Sequence, residues 1–418
     1  MTETQATSPT ASTDAPEIVP VGQVPPLGVL PQKMHSWVIR PERFGEPTEA
    51  MQQEEMPVWD IGPDEVIVQV MAAGINYNAI WAGLGEPVNI LKSHGLPFHI
   101  AGSDCAGVVW KVGSAVRNWK VGDEVVIHCN HLVEPGASDL QTIWGYETPD
   151  GSFAQFTRAQ GQQLLPKSPD LTWEEAASYG LVYFTAHRML IDRAEIQPGE
   201  DVLIWGAAGG LGSFGIQLCK AAGCRAIAVV SSEEKGELAK ELGAYGVINR
   251  KDYPDLQYRP DESEEQKKKR FSAMKAFGKK IWEILGEKKS VEVVFEHPGQ
   301  RTFPASVWLA SKFGRIVICG ATTGYELTFD VRHLWMAQKR IIGSHFADAD
   351  SAGRANKLIM QGQVKPVLTE TFEWKDLAEA HQKMFRNEVY GTIACLVGAP
   401  RPGLKTYQET LEAMKDNT

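Results

Sequence analysis

Between residues 33 and 122 the apolar positions come in short runs broken by glycine and proline. Glu65-Val66-Ile67-Val68-Gln69-Val70 alternates polar and apolar, which predicts a strand with one buried face. Residues 106–113 form a second strand-like run, and 120–126 read as a turn followed by a strand. Many short strands with Gly and Pro turns predict a compact β-rich domain, a barrel or a sandwich. Near Thr172 the period lengthens. Thr172 with Glu175 three residues later has the form of a capping box opening a helix, and 182–191 is a second helical run.

Residues 202–218 then change the picture. Val202-Leu203-Ile204-Trp205 reads as a buried strand, Gly206-Ala207-Ala208-Gly209-Gly210-Leu211-Gly212 as a tight glycine turn, and 213–218 as an apolar helical run. Strand, turn and helix in that order suit a dinucleotide. Glycine lets the backbone approach a pyrophosphate, and the helix N-terminus offers free N–H groups. Arg225–Val230 predicts a strand, 233–242 a helix stopped by Gly243, and Gly246–Asn249 another strand. This β-α-β-α-β order predicts a doubly wound, parallel α/β unit. Further strand-like runs lie at 291–295 and 314–320, and the tail from about Gly343 is expected to pack back on the first domain. The resulting division is a flexible leader over 1–25, a β-rich domain from 26–185 and 345–418, and a dinucleotide domain over 186–344.

A chain of 418 residues accommodates two such domains. A net charge of -10 argues against a nucleic-acid partner. No apolar run approaches the ~18 residues of a membrane span, and the Thr-, Ser-, Ala- and Pro-rich start has no secretory pattern. The six cysteines are scattered without CxxC pairs, which suits reduced thiols in the cytoplasm. Residues 261–285 are highly charged and read as a solvated helix or loop.

An NAD site places an acid after the second strand, for the ribose 2′-OH. Here Ser231 and Ser232 stand there, with Lys235 one helical turn later and Arg250 at the end of the next strand. Hydroxyls and cations suit a 2′-phosphate, so the expected cofactor is NADPH. Its other contacts are expected from Gly206, Ala208, Gly209, Gly210, Leu211 and Gly212, and from His297 and Cys319 at strand ends on the cofactor side.

The layout resembles the medium-chain dehydrogenase/reductase superfamily. Asn76-Tyr77-Asn78, Ile143-Trp144-Gly145-Tyr146-Glu147-Thr148, Glu296-His297-Pro298-Gly299 and Gly343-Ser344-His345-Phe346 resemble crotonyl-CoA carboxylase/reductases within it. The resemblance implies a GroES-like catalytic domain joined to a Rossmann domain. It also implies a reaction: NADPH reduces an enoyl-CoA at the β-carbon, and the resulting enolate captures CO2 at the α-carbon to give an alkylmalonyl-CoA. Asn78, Tyr146, Glu147 and His345 match the family's CO2 pocket, with Tyr146 where relatives have Phe. Arg332 matches an arginine associated with CoA, Lys339 and Arg340 are further candidates, and Phe346 would line the acyl tunnel. Asn76-Tyr77-Asn78 and Ala101-Gly102-Ser103-Asp104 stand where zinc-dependent relatives carry ligands, so no metal is expected. A dimer or tetramer is implied. The short segment 130–141 and Val88-Asn89-Ile90-Leu91 depart from the primary-metabolism pattern, which leaves acyl length open, including longer alkylmalonyl extender units. The alternative is an NADPH-dependent enoyl-CoA or quinone reductase without carboxylation, or a non-catalytic NADP(H)-binding protein.

Overall fold

The computed structural model describes residues 15–133 and 141–416. Two sheets dominate. In the first, the order is Leu368–Phe372, Thr392–Leu396, Glu65–Ile75, Cys105–Val112, Glu124–Ile127 and Leu164–Pro166, with Phe156–Gln160 also paired to Glu65–Ile75. All pairings but the first are antiparallel. The second sheet is parallel throughout, in the order Gly246–Asn249, Arg225–Val230, Asp201–Ile204, Val291–Glu296, Ala310–Ile318 and Arg340–Gly343. The first two residue ranges of the first sheet come from the end of the chain, so the tail does complete the sheet begun by Glu65–Ile75.

Glu65–Ile75 differs from its expected half-buried character. Every position after Glu65 is buried. The Trp173–Ala177 helix packs on it, so both faces are covered. Gln69 is half-satisfied there: its Nε2 donates to Gln155 O at 3.1 Å, while its Oε1 has no partner, and an unpaired buried polar atom costs about 1–3 kcal/mol. The capping box is present, with Thr172 Oγ1 accepting from Glu175 N and Glu175 from Thr172 N.

The leader departs from expectation beyond residue 15. Lys33 N donates to Glu17 O, Gly22 N to Val397 O and Gln155 Nε2 to Val19 O, and Val19 is buried. These bonds tie 15–25 to the catalytic domain; residues 1–14 lie outside the described residues, as do 134–140 of the short segment. The charged stretch forms the Glu264–Leu285 helix, capped by Ser263 and Gln266, which buries Met274, Phe277, Ile281 and Leu285 on one face. The second helical run starts as an α-helix, Gly180–His187, but continues as a π-helix over Arg188–Arg193.

Burial sets the acid response. It lowers His99 to about 3 and His128, His187, His297 and His381 to about 4. These rings stay neutral in the fold while the unfolded chain takes up protons below 6.5, so their stabilisation is lost as pH falls from 6.5 towards 4. Asp104 and Glu296, raised to about 7 by burial, act oppositely, but two groups oppose five. The thermal unfolding midpoint is expected to drop across that window; a midpoint that rises on acidification would contradict the burial argument.

Candidate active site

A cleft of about 550 Å³ runs between the two sheets' domains. Gly206, Gly209, Gly210, Arg250 and His297 lie on its wall, together with Asn76 and Tyr77 from the catalytic side. The glycine turn has specific steric reasons. Gly206 has φ +57°, and a Cβ there would come 2.7 Å from His297 Nε2; a Cβ on Gly212 would lie 2.5 Å from Gly206 O. His297 itself is fixed by a 3.0 Å bond from Nε2 to Trp205 O. The Gly210–Ala221 helix begins without a side-chain cap, so its first N–H groups remain available to an anion. Leu211 and Gly212 form its first turn, and Ala208 O accepts from Gly391 N at 2.8 Å.

At the adenosine end, Ser232 caps the Glu233–Glu241 helix by accepting from Lys235 N. Lys235 is half-buried; burial lowers its pKa, and Arg250 and Lys251 lower it further. Of these, only Arg250 lies on the cleft wall; Lys235 and Lys251 stand close enough for their charges to act on one another, and Ser231, Ser232 and Lys235 are off the wall. The nearby acid Glu234 is engaged by the Tyr390 hydroxyl. These features fit the phosphates of NADPH.

Residues from the far end of the chain were not legible as cofactor contacts. Asn387, Tyr390, Gly391 and Thr392 line the cleft, as do Arg301, Thr322 and Thr323. Gly391, at φ +61°, pairs with Gly209 across the domains. Its only sequence signal is a glycine after Tyr390. Cys319 is not on the wall; burial and then Glu296 push its thiol up to about 12.

On the catalytic side, Asn76 Nδ2 donates to Asp104 Oδ2 at 2.9 Å, and Leu181 N donates to Asp104 Oδ1. Asn78 is buried, its Nδ2 donates to Ser103 Oγ at 2.7 Å, and its Oδ1 has no partner. The 143–148 turn packs on 99–104 because Gly145 is at φ +70°, where a Cβ would sit 1.9 Å from Gly102 O. Glu147 Oε2 accepts from Ile143 N at 2.7 Å. Tyr146 is half-buried, and burial, then Glu147, push its phenol up to about 12. His345 is exposed. Surrounding protein lowers its pKa, Glu147 opposes this, and Arg188 adds to it. The Cys129 thiol, raised by burial, feels both Asp104 and Glu147.

Glu147 is near enough to His345 for its charge to be felt, though no hydrogen bond joins them, and Asn78 is held on Ser103, next to Asp104. Among the described residues the four do not line one closed cavity. Phe346 is buried against Cys129 and Ile143, with Tyr146 beside it, and so stands behind the site rather than in an open tunnel. Arg332 is exposed and bound to Asp330. Lys339 turns inward, donating to Val307 O at 2.6 Å, and is not a free cation for CoA.

Residues 62–170 match the alcohol dehydrogenase GroES-like domain family, and 210–360 match the zinc-binding dehydrogenase family. The chain is 50% identical over 414 residues to a crotonyl-CoA carboxylase/reductase of Cereibacter sphaeroides, covering 96% of each. The solved structure of the crotonyl-CoA carboxylase/reductase AntE in complex with NADP is 42% identical, with TM-score 0.86 over 92% of this chain and 100% of that one. The 2-octenoyl-CoA carboxylase reductase CinF, solved with NADP and 2-octenoyl-CoA, is 35% identical, with TM-score 0.85 over 92% of each chain. Zinc, implied by the second family's description, does not fit the donors here. Both Asp104 oxygens are occupied, the Cys129 thiol is held protonated, and among the described residues no group of three His, Cys, Asp or Glu is placed to hold a metal ion.

Proposed function

The chain belongs to the crotonyl-CoA carboxylase/reductase family, and on that premise we infer that it is an NADPH-dependent carboxylase/reductase of 2-enoyl-CoA thioesters. When bound, NADPH supplies the hydride that reaches the β-carbon of the enoyl group. The glycine turn and helix N-terminus hold its pyrophosphate, and Lys235 and Arg250 its 2′-phosphate.

The α-carbon is left with an electron pair conjugated to the thioester. Asn78 and neutral His345 donate to the oxygens of CO2 as that pair forms the new C–C bond and a C=O pair moves onto oxygen. Glu147, whose charge reaches His345, favours a ring that donates its protons. The product is an alkylmalonyl-CoA, ethylmalonyl-CoA from crotonyl-CoA.

What supports carboxylation over simple reduction is the extent of the likeness to carboxylases: 50% identity across 96% of the chain to a crotonyl-CoA carboxylase/reductase, against 27% to a quinone oxidoreductase. Labelled bicarbonate, crotonyl-CoA and NADPH are expected to yield labelled ethylmalonyl-CoA, one label per NADPH oxidised. Formation of unlabelled butyryl-CoA alone at saturating CO2 would reduce the protein to an enoyl-CoA reductase.

All six cysteines are free, and no described helix is long and apolar enough to cross a membrane; we place the enzyme in the cytoplasm. Phe313, Val331, Trp335, Met336 and Ile341 are exposed beside Arg340–Gly343, the last strand in the order of the parallel sheet. That apolar face supports a homo-oligomer, a dimer or tetramer.

A further inference from the structure

His345 lies in a segment with little regular structure of its own. Arg340–Gly343 ends just before it, and the Ala349–Met360 helix begins just after. Phe346 next to it has φ +26°, a left-handed backbone that a bulky residue keeps only when its surroundings enforce it. Two cations grip this segment at its two ends. Arg193 Nε donates to Gly343 O at 2.9 Å, and Arg188 Nη1 donates to the Asp348 carboxylate. Asp348 in turn accepts from Ser351 N at 2.8 Å as the N-cap of the following helix.

Both arginines come from the π-helix Arg188–Arg193, and they are five residues apart. In an α-helix of about 3.6 residues per turn, such a pair points to different sides. The i→i+5 bonding of a π-helix, seen here as Ala194 N to Met189 O at 2.8 Å, stacks residues five apart on nearly one face. The irregular turn is what lets one element hold both ends of the 343–348 segment. Between the two grips, the His345 ring packs edge-on against Phe346 with centroids 4.6 Å apart, and Phe346 is anchored on Cys129 and Ile143.

We propose that the π-helix is a positioning device for carboxylation: Arg188 and Arg193 clamp the 343–348 segment and so fix where the His345 ring stands against Phe346. The proposal rests on the reading of His345 as part of the CO2 pocket. Neither arginine touches substrate; both act through the backbone that carries His345. Partly exposed ion pairs contribute little to global stability, so the clamp's effect falls on geometry rather than on folding.

The test uses the full-length enzyme with Arg188→Ala, Arg193→Ala, the double variant, Arg188→Lys and His345→Asn. Labelled bicarbonate and crotonyl-CoA give the ratio of carboxylated to saturated product at several CO2 levels; KM for NADPH and the thermal midpoint are read alongside. The double variant is expected to lower the ratio about tenfold at subsaturating CO2, since a misplaced catalytic group costs rate steeply, with KM for NADPH and the midpoint nearly unchanged. Arg188→Lys, which keeps the charge, should recover part of the ratio. If His345→Asn lowers the ratio and the double variant does not, the clamp is wrong and the pocket stands. If neither changes it, the pocket reading falls and takes the clamp with it. A ratio that falls only together with a lower midpoint and a higher KM for NADPH would mean a general structural role and also overturn the proposal.

Discussion

Asn78→Ala is expected to lower the ratio of carboxylated to saturated product by roughly a hundredfold at fixed CO2, in the range seen when one oxyanion donor is removed. The amide has two N–H donors, and only one is spent on Ser103 Oγ. The other remains for an oxygen that gains charge only as the C–C bond forms. CO2 is neutral and weakly held, so a donor aimed at its developing charge acts on the transition state more than on binding. Hydride transfer precedes that charge and should fall far less. The competing fate of the enolate is protonation, so slower capture shows as a larger share of saturated product. Chromatographic analysis of both acyl-CoA products across CO2 concentrations checks this; an unchanged ratio at every concentration would remove Asn78 from the pocket.

The second large effect concerns the cofactor. Lys235→Ala combined with Arg250→Ala is expected to raise KM for NADPH about a hundredfold, since hydrogen bonds to charged groups are worth about 1.5–3 kcal/mol each. KM for NADH should change little. The pKa of Lys235 is lowered chiefly by burial and then by Arg250 and Lys251, so a bound anion would favour its charged form. Glu234 would oppose a phosphate, but the Tyr390 hydroxyl engages it. Steady-state kinetics with the two nucleotides separate the cases: a parallel loss with NADPH and NADH would mean that the cations hold the fold and not the phosphate.

The local signals in the chain were legible where one residue's neighbours in sequence are also its neighbours in space. The Thr172 capping box, the strand Arg225–Val230 and the glycine turn are of this kind. Glu65–Ile75 was misjudged because alternation reports polarity, and Gln69 is polar but buried through a bond to Gln155. Phe346 was expected along the acyl tunnel and Lys339 near CoA, yet Phe346 packs on Cys129 and Ile143, and Lys339 donates to the Val307 carbonyl, contacts that no local pattern announces. The contacts of Asn387 to Thr392 with the cleft depend on a pairing between Gly391 and Gly209 that no periodicity announces. The π-helix was invisible for a different reason: an apolar run fixes that a helix exists, not which carbonyl each N–H selects.

The pairing of Thr392–Leu396 with Glu65–Ile75 has a consequence for how the enzyme is made. A ribosome releases the parallel-sheet domain whole while the other domain still lacks two strands. Until translation ends, the Ala72–Ile75 edge waits without its partner, exposed to aggregation or to capture by chaperones. Nascent chains stalled before residue 392 should therefore already bind nucleotide weakly but lack a protease-resistant amino-terminal half, and the last few seconds of synthesis decide whether the enzyme folds or is lost.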